Sequence, residues 1–193
     1  MRHIITIGRE FGSGGREVGQ KLAERLNVPF YDKELISMAA KECDFSEAVL
    51  EAQEERPPKY FLESVYSVYM MPMSDKIFLA QSKVIQKLAE KPCIIVGRCA
   101  DYILEHRDTI NLFITAPLEE RLTRKKALDL GLAPDKLRKH IQNIDKNRAK
   151  YYNTYTDRNW GAVDNYDLCI NSAQVGIDGC VNVIAAYVEQ AER

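Results

Sequence analysis

The chain has 193 residues, of which 46% are apolar and 28% are charged, and its formal net charge is −1. This composition is typical of one globular domain with a hydrophobic core and argues against a disordered tail. The near-neutral charge argues against nucleic acid and anionic membranes as partners, so any phosphate binding must be local.

Three features of the chain lead us to expect a cytoplasmic protein. Its start lacks the pattern of a signal peptide. No apolar segment approaches the roughly 20 residues that are needed to span a bilayer. The five cysteines contain no Cys-x-x-Cys pair, which favours free thiols in a reducing compartment.

Short apolar runs alternate with amphipathic segments along the chain, and they predict strands and helices respectively. In chain order, the predicted elements of the first half are a strand over 3–7, a helix from Gly15, a strand over 28–31, and helices over 35–40 and 44–55. Those of the second half are a helix capped by Ser74, strands over 93–96 and 111–115, helices opened by Pro117 and Pro134, a strand over 166–171 and a final helix.

This alternation predicts a three-layer α/β fold with a five-stranded, mostly parallel sheet. Residues 1–193 are expected to form a single domain. Ligands of such sheets bind beyond the carboxyl ends of the strands. The loops after the predicted strands should therefore meet along one edge.

A glycine-rich loop at 8–17, with the sequence Gly-Arg-Glu-Phe-Gly-Ser-Gly-Gly-Arg-Glu, joins the first predicted strand to the first helix. Glycines let a ligand approach the backbone, and a helix N-terminus presents amides that attract phosphate. A tight turn without a ligand is the alternative. The standard phosphate-binding loop places a lysine after its second glycine, whereas here Gly15 or Arg16 occupies that place, depending on the alignment.

The loop residues that we expect to hold ATP phosphates are Gly12, Ser13, Gly14, Gly15, Arg16 and Glu17. The guanidinium of Arg16 can bridge phosphate oxygens. Glu17 can reach Mg²⁺ through its carboxylate, or it can serve only as an acidic residue in the first helical turn. Both roles of Glu17 remain open.

Basic residues are concentrated between 121 and 158, in an otherwise near-neutral chain. Phosphoryl transfer depends on positive charge around the transferring group, so this segment is a candidate lid, at about 118–160. Arg121 and Arg148 are its preferred catalytic arginines, together with Arg16 of the loop. For any single basic residue, a solvated helix face is the alternative.

A set of short motifs resembles the cytidylate-kinase-like family of P-loop nucleoside monophosphate kinases. The motifs occur in order at 8–19, 30–32, 96–98, 113–121, 145–148 and 166–171. The resemblance implies the P-loop kinase fold, ATP and Mg²⁺ as cofactors, and a small-molecule nucleotide as substrate. It also implies transfer of the ATP γ-phosphate to a nucleoside monophosphate, with CMP or dCMP favoured.

The sequence departs from this family at two acceptor positions. Cytidylate kinases carry Gly-Arg-Asp after the third strand, and here Gly97 and Arg98 are followed by Cys99. Their lid helix carries Arg-x-x-x-Asp-x-x-Arg, and here Asp145 and Arg148 match while Ile141 replaces the first arginine. A binding module without catalysis and a kinase for another small acceptor are therefore the alternatives.

The residues expected to bind the acceptor are Asp32, Arg98, Asp145 and Arg148. Asp32 follows the second predicted strand, where it can orient a substrate or cap the next helix. An acceptor-binding insertion is expected at about 43–73. Its segment 59–73, rich in tyrosine and methionine, is interpreted as core or as the surface of a homodimer, and less readily as a base-stacking segment.

Overall fold

The computed structural model describes residues 4–33, 36–37, 72–126 and 133–191. These residues fall into two compact units. One combines residues up to Asp32 with those from Lys91 onward, and the other spans Lys33–Glu90. The predicted insertion at about 43–73 and the predicted helix over 44–55 lie outside the described residues, apart from 72 and 73, and the domain boundaries stay predictions.

The first unit contains five strands in one sheet, in the order β2-β3-β1-β4-β5, and every neighbouring pair is parallel. The strands are β1 (Ile4–Arg9), β2 (Phe30–Tyr31), β3 (Ile94–Val96), β4 (Thr109–Thr115) and β5 (Leu168–Asn171). The predicted α/β class and the five-stranded sheet are confirmed.

Helices follow the strands, as the apolar periodicity predicts. In the first unit they are α1 (Gly15–Leu26), α3 (Ala100–Ile103), α4 (Leu118–Lys126), α5 (Pro134–Thr156) and α6 (Ser172–Ala191), with a 3-10 turn at Val163–Asn165. The second unit contains α2 (Met73–Leu88). Pro72, not Ser74, holds the N-cap position of α2, so Ser74 lies within its first turn.

The main core lies between the sheet and the pair α1 and α6. Ile5 and Ile7 of β1 point to the same side because side chains alternate along a strand, and they pack with Leu22 of α1 and Ile184 of α6. All four side chains are buried. This packing fixes the start of α1 directly behind β1, and it thereby sets the path of the glycine-rich loop.

Aromatic side chains pack around Phe113 of β4. The Phe113 ring lies 4.9 Å from the ring of Tyr166 and 5.4 Å from that of Trp160, between ring centroids. The Trp160 ring thus packs edge-on against a side chain of β4. None of the helices in the described part of the chain is long and apolar enough to cross a membrane.

Candidate functional site

The glycine-rich loop leaves β1 and turns sharply into α1. Gly12 and Gly14 both have a φ of +85°, in the left-handed region that side-chain-bearing residues rarely adopt. A Cβ on Gly12 would lie 3.1 Å from the Cβ of Arg121, and one on Gly14 would lie 2.2 Å from the Cδ1 of Ile177. Glycine is therefore required at both positions by conformation and by space.

Backbone amides collect at the turn from the loop into α1. Among the described residues, the amides of Gly12, Gly14, Gly15, Arg16 and Glu17 have no intramolecular acceptor. Four of these residues form the cap and first turn of α1, where the helix dipole adds positive charge. The open amides and the space reserved by the glycines fit the phosphates of a nucleotide.

Ser13 lies inside this loop, with its side chain fully buried. Its amide and its hydroxyl both donate hydrogen bonds to the carbonyl of Glu10, at 3.3 and 2.9 Å. Its own carbonyl accepts from the Arg124 Nη1 at 2.8 Å and from the Ser172 hydroxyl at 2.6 Å. Ser13 thus ties the loop together, while the glycines beside it present the open amides.

Arg121 of α4 and Asp145 of α5 form a buried ion pair beneath the loop. The Arg121 Nη1 lies 2.5 Å from the Asp145 Oδ2, and the side chains are only 9% and 15% exposed. The other oxygen of Asp145 accepts the amide of Phe11 at 2.7 Å. Arg121 also lies 3.5 Å from the Glu10 carboxylate. Its Nε is buried without a hydrogen-bond partner in the described part of the chain.

Burial has the largest effect on the Asp145 carboxyl. It raises the pKa of Asp145, while the Phe11 amide and the Arg121 guanidinium act in the opposite direction. Glu10 extends the network to the end of β4, because it accepts the Thr115 hydroxyl at 2.5 Å and the Ala116 amide at 3.0 Å. The glycine-rich loop is therefore held from both sides by charged groups.

Phe11 projects from the loop and is surrounded by cationic and aromatic groups. The Lys125 Nζ lies 4.5 Å from its ring centroid, and the Arg148 Cζ lies 5.6 Å away. The His140 ring meets it edge-on at 5.9 Å. Arg148 also donates from Nη1 to the carbonyl of Arg9 at 2.9 Å. The candidate lid helices α4 and α5 thus contact the loop directly.

Arg16 and Asp32, which the sequence assigned to different ligands, contact each other. The Arg16 Nε and Nη2 lie 2.8 and 2.7 Å from the Asp32 Oδ2. The Arg16 side chain is 62% exposed, whereas that of Asp32 is 5% exposed. Glu17 is exposed and faces Lys21 of the next turn at 3.6 Å. No group of three or more acidic, histidine or cysteine residues in the described ranges is arranged to hold a metal ion.

The structure adds contacts that the sequence analysis missed. Glu10, Phe11, Arg124 and Ser172 all contact or brace the loop. Arg124 lies three residues after Arg121, which is the spacing of one helix face, and Ser172 directly follows β5. The sequence positions of Arg124 and Ser172 therefore indicated that both could lie near the loop. The residues that they contact, however, depend on tertiary packing.

Comparison with known proteins decides the family. The model of the cytidylate kinase-like family matches residues 4–174. This chain belongs to the cytidylate kinase-like family. The predicted resemblance and the P-loop kinase fold are thereby confirmed.

Relatives of this cytidylate kinase-like chain include a shikimate kinase of Flavobacterium psychrophilum. The two are 27% identical over 158 residues, covering 79% of this chain and 85% of the relative. An uncharacterized protein from Eubacterium ventriosum has a similar solved structure, with a TM-score of 0.76, 30% identity and coverage of 97% of this chain and 99% of that one. The family and the shikimate kinase relative support a P-loop kinase with phosphotransferase activity.

Shikimate kinase structures share the fold at lower identity. The enzyme of Bacteroides thetaiotaomicron has a TM-score of 0.55 and 18% identity, and covers 98% of this chain and 99% of its own. The enzyme of Acinetobacter baumannii, solved in complex with shikimate, has a TM-score of 0.52 and 15% identity, and covers 99% of this chain and 94% of its own. These likenesses concern the fold alone.

The cytidylate kinase-like chain departs from the family pattern at positions that are buried. Arg98 and Cys99 both have a positive φ, and the Arg98 guanidinium lies over the Tyr151 ring at 5.4 Å. Burial raises the pKa of the Cys99 thiol to about 12. Ile141 is fully buried among apolar side chains of α4 and α5. Neither Cys99 nor Ile141 replaces the charge that the family pattern carries there.

Proposed function

We propose that this chain transfers the γ-phosphate of ATP to a small acceptor, with CMP or dCMP as the first candidate. The observation that carries the proposal is the row of open amides at Gly12 and Gly14–Glu17, which lies at the carboxyl end of β1 and below the lid helices. An anion bound there would face α4 and α5, which bring Arg121, Arg148 and Lys125 to the loop.

Each group of the site has a role in this proposal. The amides of Gly12, Gly14 and Gly15 hold the ATP phosphates, and Arg16 adds a guanidinium when it leaves Asp32. When bound at the loop, Mg²⁺ would supply positive charge that offsets the negative charge developing during transfer. The exposed carboxylate of Glu17 is the candidate protein contact for that ion. Arg121 and Asp145 keep the loop in its binding conformation.

The proposed reaction joins an acceptor oxygen to the γ-phosphorus and breaks the bond to the oxygen between the β- and γ-phosphorus atoms. The electron pair of the broken bond remains on ADP. A nucleoside monophosphate enters as an anion, so its phosphate oxygen needs no general base. Arg98 and Arg148 would pair with the acceptor phosphate, and Asp32 would orient it.

A hydroxy acid of the shikimate class is the second candidate acceptor. The 27% identity to a shikimate kinase favours it, as does the loss of acceptor charges at Cys99 and Ile141. This acceptor is a hydroxyl and must lose a proton during the transfer, in contrast to a monophosphate. A nucleotide-binding module without turnover is the third possibility, because glycine or arginine replaces the loop lysine.

Product analysis with a panel of acceptors tests the proposal. Purified protein is incubated with MgATP and CMP, dCMP, UMP, AMP or shikimate, and the phosphorylated products are separated by chromatography. We expect CDP or dCDP as the main new product. Turnover with shikimate alone selects the second candidate, and ATP binding without any product selects the binding module.

Two matched variants locate the activity at this site. Arg148→Gln removes a cation that contacts the loop, and Lys146→Gln removes an exposed cation of the same helix. Only the first should lower the turnover.

Arg16→Ala should weaken ATP binding in calorimetry without loss of the fold, and an unchanged affinity would remove Arg16 from the site. The cytoplasmic location and the homodimer stay predictions.

A further inference from the structure

The glycine-rich loop lacks the lysine of a standard phosphate-binding loop, but a lysine of α4 lies directly against it. A Cβ on Gly12 would lie 3.4 Å from the Cγ of Lys125, so the lysine stem crosses the loop at its first left-handed glycine. The Lys125 Nζ lies over the Phe11 ring, 4.5 Å from its centroid. The ammonium group is thus held beside the turn that presents the open amides.

Lys125 has no carboxylate partner among the described residues. Asp145 of α5 also contacts Phe11, but its two oxygens are taken by the Phe11 amide and by Arg121. Arg148 lies over the same Phe11 ring and repels the ammonium. Burial and this repulsion lower the pKa of Lys125. Two half-buried cations therefore lie side by side next to a row of unpaired donors.

Such an arrangement costs free energy until an anion joins it, because like charges repel and half-buried ammonium groups lose hydration. A phosphate group would accept from the loop amides and neutralise both cations at once. The flexible lysine stem lets the ammonium swing from Phe11 to a phosphate oxygen without movement of the helix.

We propose that Lys125 binds the terminal phosphate of ATP and supplies the lysine ammonium that the loop sequence itself does not carry. This inference rests on the proposed function. The lysine comes from the lid helix α4 instead of the loop, so the cation reaches the phosphate only when α4 lies against Gly12. The terminal phosphate of ATP, which ADP lacks, is the group that this contact distinguishes.

Calorimetric titration of three variants with MgATP and MgADP tests the assignment. Lys125→Gln removes the charge and keeps most of the stem. Lys126→Gln removes an exposed charge one residue further along the same helix and serves as the matched control. Lys125→Arg keeps the charge and serves as the conservative rescue.

We expect Lys125→Gln to weaken ATP binding by about tenfold or more, since a charge-assisted contact is lost. The ADP affinity should change by less than about threefold, as expected when no direct contact is removed. Lys126→Gln should leave both affinities unchanged, and Lys125→Arg should recover most of the ATP affinity. The ratio of ATP affinity to ADP affinity should therefore fall only in Lys125→Gln.

The outcomes separate this inference from the proposed function. Suppose that the wild type binds ATP, but Lys125→Gln keeps its ATP affinity, weakens both nucleotides equally, or behaves like Lys126→Gln. The assignment of Lys125 is then overturned, and the kinase proposal stands. Absence of ATP binding by the folded wild type would overturn both.

Discussion

Asp145→Asn is the perturbation that best probes how the loop is held. Asparagine keeps the shape of the side chain, and its oxygen can still accept the Phe11 amide. Its amide group, however, would place hydrogens opposite the Arg121 Nη1, which now lies 2.5 Å from the Asp145 carboxylate. The substitution thus leaves the guanidinium of a side chain that is only 9% exposed without its main counter-ion.

Loss of one partner from a buried ion pair costs about 3–5 kcal/mol. Here Glu10 at 3.5 Å still offers Arg121 a carboxylate, and the Phe11 carbonyl lies 3.4 Å from its Nη1. Because these groups partly compensate, we expect the free energy of unfolding to fall by slightly less than that range, at about 2–3 kcal/mol. ATP affinity should fall as well, because the Phe11 end of the loop loses its anchor.

Urea denaturation followed by circular dichroism measures this loss. Asp135→Asn is the matched control, since Asp135 is an exposed aspartate at the start of the same helix. The control should change the free energy of unfolding by less than about 1 kcal/mol. Addition of Arg121→Met to Asp145→Asn should restore part of the stability, because the buried charge is then gone. If Asp145→Asn stays within about 0.5 kcal/mol of the wild type, the ion pair does not hold the loop.

Three further predictions concern the loop, the lid and the thiols. Gly12→Ala should lower the free energy of unfolding by at least about 1–2 kcal/mol, because its φ is +85° and Arg121 lies behind it, and an unchanged denaturation curve would contradict this geometry. Ile141 is fully buried, so Ile141→Arg should destabilise the fold by more than about 3 kcal/mol and should not restore acceptor binding. A gain of CMP turnover in this variant would refute the prediction. Iodoacetamide at pH 8 should label the exposed Cys169 long before Cys99, because burial raises the pKa of the Cys99 thiol to about 12. Peptide mass spectrometry follows the labelling, and the reverse order would contradict the burial of Cys99.

The sequence predicted the sheet well, because its strands are short apolar runs bounded by glycine, proline or polar residues. The predicted strands at 93–96 and 111–115 differ from β3 and β4 by one and two residues at their starts and end at the same residue. The loop was also recognisable, since a cluster of glycines between an apolar strand and an amphipathic helix is typical of a phosphate-binding loop. Gly12 and Gly14 indeed take the left-handed conformation that only glycine adopts readily.

The partners of the charged residues were not predictable in the same way. Asp145 and Arg148 were recognised from their spacing, but spacing does not reveal which side of α5 faces the loop. The packing of α4 and α5 brings Asp145 to the Phe11 amide and Arg121, a contact that spans 134 positions of the chain in the first case. In the sequence, Lys125 is one of many basic residues, and only the structure reveals that its side chain lies against Gly12.

Binding of phosphate by the loop amides is the central claim, and one measurement tests it directly. The chain has only 10 glycines, so selective ¹⁵N-glycine labelling gives a simple amide spectrum. On titration with MgATP, the amides of Gly12, Gly14 and Gly15 should show the largest shifts, while Gly179 in α6 stays in place. If ATP binds and these three signals do not move, the phosphates lie elsewhere and the account is contradicted.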